Sequence, residues 1–121
     1  MNKKELNLIA QAIFDKKGFN IFVMDVRGLT TITDYLVIAE GNVDRHVLAI
    51  GNAVIEEMEK AGHQVVQVEG RHHPDWMVID FGDVFVHIFT PGTREKYRLE
   101  LLWNEGKIVD VAIDVSRKNV G

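Results

Sequence analysis

Residues 76–103 constrain the fold more tightly than any other part of the chain. Over 76–89 they read Trp-Met-Val-Ile-Asp-Phe-Gly-Asp-Val-Phe-Val-His-Ile-Phe, and Arg94, Tyr97, Leu99, Glu100, Leu101, Leu102 and Trp103 follow. Apolar runs on either side of Gly82-Asp83 predict a tight β-hairpin, because Gly and Asp accept the dihedral angles of a turn and the flanking runs suit strands. A helical pattern starts directly after the second run, with Pro91 suited to its first turn and an end near Trp103. Trp76 opens this unit and Trp103 closes it, yet it holds no nucleophile elbow, no metal-ligand spacing and no phosphate-binding loop. It predicts a recognition module on an α/β scaffold rather than a catalyst.

The rest of the chain supplies that scaffold. Leu6, Ile9, Ala10, Ile13 and Phe14 recur at helical spacing over residues 3–17, with Gly18 placed to end the helix. Ile21 to Val26 and Tyr35 to Ala39 read as strands, the second ending at Glu40-Gly41. From Val43 to Ala61, Val43, Val47, Ile50, Val54 and Met58 share one side of a helix that Asn42 or Asp44 could cap and Gly62 could end. Gly51 inside that helix marks close packing against a neighbour. Val65, Val66 and Val68 suggest a further strand before the hairpin. Residues 108–115 alternate in part, as an added strand or a covering tail would. The order is α β β α β β β α and a tail. It predicts an α/β (α+β) fold with a mixed sheet of about five strands and helices packed on it. One domain is expected over residues 1–121, with its core at 3–103 and a C-terminal tail at 104–121. The irregular run Arg71-His72-His73-Pro74-Asp75 reads as an exposed loop just before Trp76.

Composition removes whole classes of function. The 121 residues include no cysteine, so neither a disulfide framework nor a thiolate metal site can form. Formal net charge is −4, with Lys and Arg scattered, which argues against direct binding to nucleic acid and for a basic protein partner. No apolar run approaches the roughly 18–20 residues of a membrane span, and the N-terminal residues form no secretory signal. A cytoplasmic protein is expected.

Each candidate chemical site has a structural explanation beside it. The five histidines show no ligand spacing: His72 and His73 are adjacent and would point to opposite sides of an extended chain, and His46, His63 and His87 stand alone. His87 alternates within an apolar strand, where a hydrogen-bonded, partly buried imidazole is expected. Asp80 and Asp83 flank the hairpin turn, and Asp25 and Asp34 lie near strand ends, but no Asp-x-Asp pair exists to hold two metals on one strand face. The chain has one serine, Ser116, in its tail. No metal and no cofactor is expected. Trp76, Tyr97 and Arg94 are residue types that dominate binding hot spots, whereas Leu99 and Trp103 suit the core.

At these residues the chain resembles the ribosomal silencing factor family, also called Iojap. The supporting strings are Asp25-Val26-Arg27-Gly28-Leu29-Thr30, Thr33-Asp34-Tyr35-Leu36-Val37-Ile38, Gly41 with Asp44-Arg45-His46-Val47 and Ala49-Ile50, then Glu69-Gly70. Residues 76–89 and Arg94-x-x-Tyr97-x-Leu99-Glu100-x-x-Trp103 complete the set. The resemblance implies a nucleotidyltransferase-like fold without its catalytic acids. It implies binding to the large ribosomal subunit through its protein L-fourteen, little direct RNA contact, and a steric block of small-subunit joining when nutrients are short, with a role in large-subunit maturation beside it. Trp76 with Asp75, and Arg94 with Tyr97, match prominent positions of the family pattern and are expected in the contact patch, with Glu69 and His73 at its polar rim. Val43 replaces a Ser or Thr common in relatives, which shifts capping to Asn42 or Asp44. Pro91-Gly92 replaces common acids and lowers the charge near Arg94. The alternatives are a residual metal-dependent nucleotidyltransferase or nucleotide-binding protein using Asp80, Asp83 and Asp25, and a homodimeric scaffold joined through apolar strand edges.

Overall fold

The hairpin sets the geometry of the sheet. In the computed structural model, which describes residues 3–97 and 106–115, strands β4 (Trp76–Asp80) and β5 (Val84–Phe89) pair antiparallel, with Trp76 opposite Phe89 and Asp80 opposite Phe85. The turn closes through a hydrogen bond from Phe81 N to Val84 O, and Asp80 Oδ1 accepts the Gly82 amide at 2.7 Å. Asp83 contributes its carbonyl, which accepts the amides of Asp34 and Tyr35. That contact fixes the start of β2 (Tyr35–Glu40), which runs parallel to β5 in register Tyr35 to Val84 through Glu40 to Phe89. Every residue of β2 is buried, as befits a strand covered on both faces.

The other strands extend the sheet outward by antiparallel pairing. β1 (Phe19–Asp25) lies beside β2, and β3 (Gln67–Glu69) lies beside β4. A short β6 (Lys107–Ile108) pairs with β1, giving the order β3-β4-β5-β2-β1-β6. The mixed sheet thus has six strands where about five were expected, and the extra one comes from the tail. The tail then crosses α1 (Lys3–Asp15): Asn7 Oδ1 accepts the Ala112 amide, and Gln11 Oε1 accepts the Asp114 amide.

Helices α1 and α2 (Asp44–Lys60) pack together on one face of the sheet. Leu6, Ile9 and Ile13 of α1 and Val47, Ile50, Val54 and Met58 of α2 meet Val23, Val37, Ala39, Met77, Ile79, Val86 and Ile88 in one apolar cluster. Gly51 is where α2 comes closest: a Cβ there would fall on the sulfur and methyl of fully buried Met77. The close packing expected of Gly51 is therefore present.

The helix ends depart from expectation. The left-handed residue after α1 is Lys17 (φ 65°), and Gly18 follows it, its amide bonded back to Ile13 O. Gly18 is needed there for space, since a Cβ would strike Ile13. At α2 the N-cap is Val43, without a side-chain cap, so neither Asn42 nor Asp44 takes that role. His46 reaches back instead: its Nδ1 accepts the Asn42 amide at 2.8 Å, and its Nε2 lies 2.7 Å from Lys16 O at the end of α1. One imidazole thus ties the two helix ends together and satisfies the Asn42 amide just outside α2, a different donor from the first-turn amides that a Ser or Thr at position 43 would have capped. β3 starts only at Gln67; Val66 is mostly exposed, and Val65 leans on the core without joining the ladder.

Candidate recognition face

The opposite face of the sheet differs in chemistry. Strand register places Glu69, Trp76, Val78, Asp80, Phe85, His87 and Phe89 on it, beside Leu36, Ile38 and Glu40 of β2 and Phe22 and Met24 of β1. Met24, Val26, Leu36, Ile38 and Phe89 are buried, while Phe22, Trp76 and Phe85 are only partly covered. This face is therefore aromatic and incompletely closed.

Trp76 sits at the start of β4 with its ring centroid 5.0 Å from that of Phe89. Its Nε1–H donates to His87 Nδ1 at 3.0 Å. His87 lies nearly parallel to Phe89, with 12° between the ring planes. Burial holds the imidazole neutral, lowering its pKa from the ordinary 6.5 to about 4. Because Nδ1 accepts, the ring proton resides on Nε2. The hydrogen-bonded, partly buried imidazole expected at His87 is what stands there.

The loop that delivers Trp76 is tightly specified at Gly70. Its φ is +90°, and a Cβ there would collide with the Trp76 carbonyl oxygen, so only glycine fits. Asp75 has an exposed side chain, and its carbonyl accepts the Thr90 amide, linking this loop to the start of α3 (Pro91–Tyr97). Glu69 and His73 are exposed, with Glu69 accepting from Gln67 Nε2.

Arg94 takes a different position from the one anticipated. Its guanidinium turns inward, to Glu40 Oε2 at 3.0 Å and to the Asn20 carbonyl at 2.6 Å, and its side chain is 14% exposed. Asn20 occupies an irregular step of β1 with φ 51°, and its Nδ2 also donates to Glu40 Oε2 at 2.7 Å. The carboxylate at the end of an otherwise apolar strand is thereby neutralised, and α3 is fastened to the sheet. Glu40, Asn20 and His87 are the participants that sequence reasoning did not assign to the site. The available signal was a carboxylate closing an all-apolar strand, a group that burial obliges to find a cation. Tyr97 is the last described residue of α3, and Leu99, Glu100 and Trp103, the two apolar ones expected in the core, lie outside the described residues.

The acids of the nucleotidyltransferase alternative serve local ends. Asp25 forms a bidentate pair with Arg27, which holds its carboxyl below the usual range. Asp80 accepts the Gly82 amide in the hairpin turn, and Asp83 lends its backbone carbonyl to the Asp34 and Tyr35 amides. Among the described residues no three His, Asp or Glu side chains converge on a possible metal position, and no helix is long and apolar enough to cross a membrane.

The fold defines a mixed α/β domain whose sheet is shielded by helices on one side and carries a partly open aromatic surface on the other. Residues 1–120 match the family described as ribosomal silencing factor during starvation, and the chain belongs to that family. It is 36% identical to ribosomal silencing factor RsfS of Bacillus subtilis over 92% of this chain and 95% of the relative. With the same factor of Haemophilus influenzae it shares 42% identity over 72% of this chain and 85% of the relative. A mouse protein named mitochondrial assembly of ribosomal large subunit protein 1 is 30% identical over 84% of this chain, which spans 46% of that protein. A crystal structure of a Chromobacterium violaceum protein superposes with a TM-score of 0.83 at 31% identity, covering 97% of this chain and 98% of that one.

Proposed function

We propose that this protein silences ribosomes by binding the large subunit at its protein L-fourteen and sterically blocking small-subunit joining under nutrient limitation. Membership of a ribosomal silencing family supports a ribosome-associated role. The observation that carries the choice of surface is Trp76, partly exposed on an aromatic face that also bears Glu69, diagonal to it on β3, and Asp80 at the far end of β4. Aromatic surface rimmed by acids suits a basic protein better than RNA, whose phosphates the acids would repel. The contact patch comprises Trp76, Asp75, Glu69, His73 and Tyr97, with Arg94 holding α3 in place. The action is occlusion in the cytoplasm: no bond is made or broken, and no cofactor or membrane takes part.

Sedimentation with separated ribosomal subunits tests this. The protein should travel with the large subunit and lower the yield of joined ribosomes; recovery only at the top of the gradient at every salt concentration would sink the reading. Trp76→Ala should weaken binding by about 2 kcal/mol, as loss of an interface hot spot does. Saturable stabilisation by a nucleotide with magnesium would instead favour the enzymatic alternative. A second reading, a part in large-subunit maturation, is favoured by the printed name of the mouse relative. Cells lacking the protein would then accumulate incompletely assembled large subunits.

A further inference from the structure

We propose that His87 is a positioning residue for recognition, its Nδ1 fixing the indole of Trp76 in the orientation that a partner meets. The inference rests on the reading of this face as the ribosome-binding surface and adds a residue that does not itself touch the partner.

His87 is a costly residue for its position. It occupies a strand position facing Phe89, Trp76 and Ile38, where a valine or phenylalanine would complete the packing without a polar atom to satisfy. The buried imidazole instead offers an acceptor, and the Trp76 Nε1–H takes it at 3.0 Å. Trp76 stands in the first position of β4, just after the exposed loop 71–75, where the backbone alone holds a side chain least firmly. Its ring has two rotatable bonds. Packing on Phe89 restrains the ring plane, and the bond to His87 selects which edge points inward. The indole's only polar atom is thereby engaged within the protein. What the ring presents outward is carbon: a surface for aliphatic stems or for the cationic head of a Lys or Arg on a basic partner. An indole held in advance loses less freedom on binding than one that must be ordered at that moment.

Two substitutions separate the acceptor from the packing. His87→Phe keeps a ring against Phe89 and removes the acceptor. His87→Asn places a carbonyl oxygen near the position of Nδ1 and restores it. The Trp76 indole N–H signal, identified by its loss in Trp76→Phe, is followed by NMR, and affinity for purified large subunits is measured in parallel. In His87→Phe the indole signal should shift and lose its protection from hydrogen exchange, and affinity should fall up to about tenfold, the cost of ordering on binding a ring that is no longer held in advance. His87→Asn should bring both back toward the wild type. An indole signal unchanged in His87→Phe, or affinity kept in His87→Phe but lost in Trp76→Ala, overturns the proposal. So does a loss that His87→Asn fails to repair, because packing would then explain it. If wild-type protein and Trp76→Ala bind equally, the reading of the face fails, and the indole signal still decides whether His87 sets the ring.

Discussion

The two faces of the sheet are built from the same strands and solve opposite problems. Beneath α1 and α2, Ile79, Val86, Ile88, Ile50 and Met58 are wholly buried, and shape complementarity alone holds them. On the other face aromatic rings alternate with groups that need partners: His87 with Trp76, and Glu40 with Arg94 and Asn20. The first arrangement maximises stability and leaves nothing to offer. The second gives up part of that stability, since buried polar pairs rarely outperform well-packed hydrocarbon, and gains side chains in defined orientations.

That contrast can be broken in steps of decreasing size. Ile79→Ala, on the dry face, should cost about 4 kcal/mol in urea unfolding through the cavity it leaves, and the surviving folded fraction should bind ribosomes normally. Arg94→Met, on the other face, should cost about 3 kcal/mol because it strands the Glu40 carboxylate, 9% exposed, without its cation. Adding Glu40→Met should recover most of that loss; if it does not, the pair is not what fastens α3. Acid should act on the second face first. Below its ordinary pKa of 6.5 the unfolded chain protonates His87, whereas the folded chain resists until about pH 4. The unfolded state therefore binds more protons in that window, and stability falls as pH drops. The loss from this residue between pH 7 and pH 5 should be about 2 kcal/mol, absent in His87→Asn. The smallest effect belongs to His46→Ala at the helix corner, about 1 kcal/mol, since it removes only the link between the Asn42 amide and Lys16.

The contrast also explains what could be read in advance. Local signals carried the hairpin, because Gly82-Asp83 and its apolar flanks report on residues that are neighbours in sequence. The helices followed from spacing, and Gly51 from its cost to the helix it interrupts. What escaped depends on groups brought together from afar. Arg94 looked outward because nothing near it in sequence reveals Glu40. The left-handed angle at Asn20 and the alignment of its carbonyl on Arg94 arise only once β1, β2 and α3 meet. Val65 and Val66 suggested a strand by apolarity, but pairing begins one residue later, where the partner strand β4 ends. The tail read ambiguously because it does both things, adding two residues to the sheet and then lying across α1. On the aromatic face, residue type singled out Trp76, and only the register brought His87 against it.

The parallel seam between β2 and β5 bears on how the chain reaches this state. The hairpin strands meet through a three-residue turn, but Tyr35 can find Val84 only after α2, β3 and β4 have been passed. Closing so long a loop is entropically costly and slow. Until it closes, the segment Tyr-Leu-Val-Ile-Ala, rich in strand-forming residues and free of proline, has the edge that β5 will cover open to a neighbouring chain. Asp34 and Glu40 bracket it, and in that interval their charges act as gatekeepers against self-stacking. The carboxylate that ends up buried against Arg94 is thus also the charge that ends this apolar run while the chain is still unpaired.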